Sequence, residues 1–113
     1  MSGPTPYAYN VEIVRIHDGD TLTVSVDLGF RIVHQVNIRL AGINAPELRT
    51  EEGKTTLRVL AAFVAEHAGQ WTARTFKSGE EKYGRWLAKL YAPDGTDVSA
   101  WLLSMGLAVP LER

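Results

Sequence analysis

The sequence predicts a mainly β (α+β) fold: a five-stranded Greek-key barrel of OB type carrying two helices. Two observations predict it. Three strand-like stretches succeed one another before any helical pattern appears, so the helical crossovers that a parallel sheet needs are missing. One helix then separates them from two further short strands, and 113 residues that are 45% hydrophobic suit a single compact core.

Residues 1–9, with Pro4 and Pro6, read as a flexible leader, and residues 10–113 as one domain. Val11 to Ile16 is β-branched and strand-like. From Thr21 to Leu28, Leu22, Val24, Val26 and Leu28 alternate with polar residues, giving one buried and one wet face. Leu28-Gly29-Phe30 supplies a turn. The third strand, Phe30 to Leu40, keeps Val36, Ile38 and Leu40 on one face, with a bulge expected at Val33-His34 where the phase slips. Thr50 is the expected N-cap of a helix whose first turn holds Glu51 and Glu52. Leu57, Leu60, Ala61 and Val64 form its apolar stripe, and Gly69 closes it. Trp71 to Phe76 and Arg85 to Tyr91 are the last two strands, with residues 77–82 a polar, mobile loop between them. After the turn Pro93-Asp94-Gly95, a short helix over Val98 to Met105 places Val98, Trp101, Leu102 and Met105 on one stripe and ends at Gly106.

The chain has no cysteine, which removes disulfides and thiolate-held metals. A net charge of -1 and a pI near 6.3 give no global pull on a polyanion, so any nucleic-acid binding must come from a local basic cluster. Neither a signal-peptide pattern nor a run of roughly 20 apolar residues is visible. A soluble cytoplasmic domain without membrane contact is therefore expected.

Three segments carry chemistry: His17-Asp18-Gly19-Asp20-Thr21, Arg39-Leu40-Ala41-Gly42-Ile43-Asn44-Ala45-Pro46-Glu47 and Lys82-Tyr83-Gly84-Arg85. Asp-Gly-Asp is a turn tripeptide that needs no ligand, and it lacks the remaining acids of a calcium loop. Pro46 holds Ala45 extended, which frees carbonyls in an exposed loop. Carboxylate, amide and carbonyl oxygens all suit Ca²⁺. Arg39 points away from the Val36–Leu40 core face. Arg39 and Arg85 could grip one phosphate bidentately if the barrel brings both to one side, with Glu47 as a candidate base for water. Trp71, Trp86 and Trp101 read as core or barrel-covering residues, and His17, His34 and His67 as ordinary histidines.

In order and spacing these segments, with the closing Gly106-Leu107-Ala108, resemble the staphylococcal nuclease-like (thermonuclease) family over about Val11 to Ala108. The resemblance implies an OB-fold barrel and a Ca²⁺-dependent nuclease acting on DNA and RNA, with Mg²⁺ or Mn²⁺ as conceivable substitutes. It implies Asp20, Asn44 and the Ala45 carbonyl as calcium ligands, with Asp18 near the metal and acting through water. It implies Glu47 as general base, and Arg39 and Arg85 on the scissile phosphate. Tyr83 is read as flanking the bound nucleotide.

The sequence departs from the family pattern at Asn44, where the family has an aspartate. The site loses a formal charge, and metal affinity is expected to fall about ten- to a hundredfold, about 1.4–2.8 kcal/mol. The sequence given stops soon after Ala108, where family enzymes often continue into another helix, so self-association to a homodimer could cover an exposed core surface. The alternative to a nuclease is an OB-fold module that binds nucleic acid or protein without cleaving. Asn44 favours that alternative, whereas the retention of Arg39, Glu47 and Arg85 together speaks against it.

Overall fold

The structure is a computed structural model that describes residues 7–80 and 84–111. Along the chain run β1 (Ala8–Ile16), β2 (Thr21–Asp27), β3 (Val33–Leu40), β4 (Ile43–Asn44), α1 (Glu51–Glu66), β5 (Trp71–Glu80), β6 (Trp86–Tyr91), α2 (Val98–Ser104) and β7 (Val109–Pro110). Five strands close a barrel in the order β1-β2-β3-β6-β5, with β5 returning to β1. All pairs are antiparallel except β3–β6, which is parallel because β4, α1 and β5 intervene and return the chain to the same end.

The alternations seen in the sequence set the inward faces. Leu22 and Val24 of β2, Ile38 and Leu40 of β3, and Ala88 and Leu90 of β6 are buried inside the barrel. Leu60 of α1, Val98 and Leu102 of α2 and Ile43 of β4 join the same core. Each buried Leu or Ile contributes about 1.5–3 kcal/mol relative to leaving it in water.

Several expectations need correcting. No bulge occurs at Val33-His34: the β2–β3 ladder runs unbroken from Thr21↔Arg39 to Asp27↔Val33. The register shift lies in β1 between Ile13 and Arg15, with Val14 extruded and exposed. It is needed because Val11 and Ile13 share one parity and Ile16 the other, and one extra residue lets all three face inward. β1 takes in Ala8 and Tyr9, which pair with Arg74 and Ala73. Residues 77–80 belong to β5, not to a loop, and Glu80 pairs with Trp86; residues 81–83 lie outside the described residues. The small β4–β7 sheet has no counterpart in the sequence reading, because two-residue strands carry no periodicity.

Thr50 caps α1 as expected, its side chain accepting from the Gly53 N–H. The helix ends at His67, two residues before Gly69. Phe63, not Ala61, completes its packed face: Ala61 is exposed, while Phe63 stacks on Trp101 and meets the edge of Trp71. Met105 is likewise exposed at the end of α2. There the Gly106 and Leu107 N–H groups turn back to the carbonyls of Leu103 and Leu102 and satisfy the helix end.

Candidate active site

The β1–β2 turn, the end of β3, the β4–α1 loop and the start of β6 meet at one end of the β2–β3 hairpin. Asp18 Oδ1 accepts the N–H of Asp20 at 3.0 Å, the side-chain-to-backbone bond that makes Asp-Gly-Asp a tight turn. The Asp20 carbonyl accepts from Leu40 N–H at 2.8 Å and ties this turn to β3. Gly19 is buried beneath it. A Cβ there would lie 2.5 Å from Thr56 Cγ2 and 2.8 Å from Ala45 Cβ, so only glycine fits between α1 and the β4–α1 loop. Thr56 is itself buried and donates to the Leu107 carbonyl at 2.8 Å.

A continuous polar chain runs through the cluster. Arg85 Nη1 donates to Thr21 Oγ1 at 3.1 Å, and Thr21 Oγ1 donates to Asp20 Oδ1 at 3.2 Å. Asp20 Oδ2 accepts from Ala45 N–H at 3.0 Å and lies 3.6 Å from Arg39 Nη2. The same Nη2 donates to Asn44 Oδ1 at 3.2 Å. The barrel therefore brings Arg39, Arg85, Asp20 and Asn44 together, although Arg85 is separated from Thr21 by 64 positions. The side chains of Asp20 and Arg39 are each only 11% exposed, so their attraction is poorly screened.

Burial raises the Asp20 carboxyl above its ordinary range, and the hydrogen bond and charge of Asp18 add to this. The Ala45 N–H and the Arg39 charge pull the other way without cancelling it. Among the described residues no group of three or more His, Asp or Glu side chains gathers. The donors are instead mixed: the carboxylates of Asp18 and Asp20 beside the amide oxygen of Asn44. An oxygen-only set of this kind is the donor chemistry that a hard cation such as Ca²⁺ takes.

Glu47 stands apart from this chain. Its exposed carboxylate pairs with Arg49 Nε at 2.6 Å. Its backbone, by contrast, is held: the carbonyl accepts from both the N–H and the hydroxyl of Thr50, and Gly53 packs against it where any Cβ would collide. Tyr83 lies outside the described residues. The sequence reading missed Thr21 as the link between Arg85 and Asp20, and Thr56 as the support beneath the turn. It also missed Arg49, for which a basic residue two places after Glu47 was the available signal.

Residues 37–113 match the family model described as staphylococcal nuclease homologue. The chain belongs to the staphylococcal nuclease family. Its relatives in this family extend the match beyond that segment. An uncharacterized endonuclease of Escherichia coli O157:H7 is 33% identical over 101 residues, covering 89% of this chain and 60% of its own length. A micrococcal nuclease of Shigella flexneri is 30% identical over 116 residues, covering 96% and 62%. Protein ParB of Escherichia coli is 30% identical over 105 residues, covering 86% and 54%. The chain thus spans 54–62% of the length of these relatives. A closed five-stranded barrel with two helices is the architecture this family membership leads one to expect. Among the described residues no helix is long and apolar enough to cross a membrane.

Proposed function

We propose that this chain is a Ca²⁺-dependent phosphodiesterase that hydrolyses DNA, and RNA where the strand is accessible. The observation that carries the reading is the polar chain Arg85–Thr21–Asp20–Arg39–Asn44, in which two guanidinium groups flank one buried carboxylate. With a net charge of -1 the whole protein does not attract a polyanion, so this local pair must do so.

Asp20, Asn44 and the Ala45 carbonyl would hold the cation, with Asp18 acting on it through water. A bound Ca²⁺ supplies positive charge that polarises a phosphoryl oxygen. Arg39 and Arg85 grip the non-bridging phosphate oxygens and stabilise the negative charge that grows as the phosphorus becomes five-coordinate. Glu47 leaves its exposed partner Arg49 and takes a proton from water, whose oxygen forms the new bond to phosphorus. The bond to the leaving oxygen breaks on the opposite side, and that oxygen is protonated from solvent. Tyr83 flanks the nucleotide.

A second reading, a nucleic-acid or protein binding module without cleavage, draws on the Glu47–Arg49 pair and on the neutral Asn44. Incubation with single- and double-stranded DNA and RNA in Ca²⁺, Mg²⁺ or Mn²⁺, with EDTA and Glu47→Gln controls, separates the two. Cleavage that needs the metal and Glu47 supports the nuclease. Binding without cleavage under every metal supports the module.

A further inference from the structure

The hairpin that carries Thr21 and Arg39 at its base ends in an unusual turn. Ile32 N–H donates to the Gly29 carbonyl at 2.8 Å, and the two central residues are Phe30 at φ 54° and Arg31 at φ 62°. Tight hairpin turns with both central residues in the left-handed region normally use Asn-Gly, because side chains with a Cβ are strained there. Here the strained positions hold a large aromatic and an arginine, and Phe30 is 96% exposed. No packing within the described fold accounts for it. Strain kept at an exposed position points to a role outside the fold.

We propose that this tip is a nucleobase subsite for single-stranded nucleic acid, remote from the reacting phosphate. This rests on the nuclease reading and extends it. Phe30 stacks on an unpaired base and Arg31 holds an adjacent phosphate. The register pairs from Thr21↔Arg39 to Asp27↔Val33 form a continuous ladder, which puts its Asp27↔Val33 end about 20 Å from the Arg39 end at about 3.3 Å per step, with the tip beyond it. That span equals about six nucleotides of a stacked strand. Along the outward face between the two ends stand Ser25, Gln35 and Asn37, uncharged hydrogen-bonding groups alternating with the core residues, while Thr23 beneath them is buried and donates to Asn37.

Beside the tip lies a groove of about 510 Å³ whose lining includes Asn10, Glu12, Ser25, Asp27, Phe30 and Arg31. Its carboxylates suit the amino edge of a base, which donates hydrogen bonds. An apolar protein segment laid there would bury both carboxylates, with the Gly29 N–H on Asp27 Oδ1 as their one compensating bond among the described residues. A base stacked over Phe30 covers the aromatic and leaves these groups paired or wet.

The test uses Glu47→Gln protein with Ca²⁺, so that cleavage is slow relative to the measurement, and fluorescence anisotropy with labelled single-stranded DNA. Phe30→Gly in that background is expected to weaken an oligonucleotide of about 20 nucleotides roughly tenfold, and not one of about four, which is too short to reach the tip. The glycine relieves the left-handed strain, so an unchanged or higher Tm rules out misfolding as the cause. Equal affinity of both proteins for the long strand overturns the subsite and redirects attention to a protein partner. Equal weakening at both lengths also overturns it, since the effect would then reach the site through the fold. If the parent binds neither strand, the nuclease reading falls and takes the subsite with it. If length-dependent loss is seen but the wild-type protein never cleaves, the subsite stands and only the nuclease reading fails.

Discussion

Arg39 Nη2 donates to Asn44 Oδ1 at 3.2 Å across the turn between β3 and β4. The neutral amide thus shares a guanidinium with Asp20, whose Oδ2 is 3.6 Å from the same nitrogen. Asn44→Asp should raise Ca²⁺ affinity about ten- to a hundredfold, because affinity follows the number of charged ligands. Calorimetric titration of both proteins checks this. Unchanged affinity would show that the new carboxylate is neutralised by Arg39 and that charge count is not limiting.

Glu47→Gln should lower kcat by about 10²–10⁴-fold, the usual contribution of a general base. Among the described residues its side chain pairs only with the exposed Arg49, so stability should change by less than about 1 kcal/mol. Single-turnover cleavage and urea denaturation, run together, distinguish a chemical role from a structural one.

Gly19→Ala should destabilise the fold by about 1–3 kcal/mol, because its Cβ would enter the space of Thr56 Cγ2 and Ala45 Cβ. Thr56→Ser removes that methyl and keeps the hydroxyl that donates to Leu107. The double variant should recover part of the loss, with a coupling energy above about 0.5 kcal/mol in a denaturation cycle. Strict additivity would mean that the two residues do not meet.

Replacing both Phe30 and Arg31 by glycine should stabilise the protein by about 1 kcal/mol per site, the relief of left-handed strain less the added freedom of the unfolded chain. A fall in Tm would show that one of these side chains is held by the fold after all.

Asp94 accepts from the hydroxyl and N–H of Thr96 and lies near His67 Nε2, and these contacts hold its carboxyl below the ordinary 3.8. A depressed folded-state value means stability that is present above the unfolded value and lost as pH falls through the folded one. Asp94→Asn should therefore lower Tm at neutral pH, with the difference shrinking to nothing well below pH 3.8.

Much of the barrel was legible along the chain. Leu22 and Val24, then Ile38 and Leu40, declared their inward faces by simple alternation, and Thr50 announced α1 by its side-chain oxygen. Periodicity misleads where spatial neighbours decide burial. Ala61 and Met105 fall on helical stripes, yet both are exposed, while Phe63 is drawn in by the rings of Trp71 and Trp101. The phase of β3 looks broken at Val33, but His34 lines a cavity with Val24, Val36 and Ile38, and the real slip lies in β1.

By itself, then, the sequence determined which residues β2 and β3 turn inward, where the helices start, and that acids, an amide and two arginines occur in the order of one nuclease family. Tertiary structure alone decided that Arg85 reaches Thr21, that Arg39 is shared between Asp20 and Asn44, and that Gly19 is locked under Thr56. The reason is physical. Alternation and capping are set by residues within a turn or two of each other. The site is assembled by closure of the sheet, in which β3 lies parallel to a strand formed more than forty residues later.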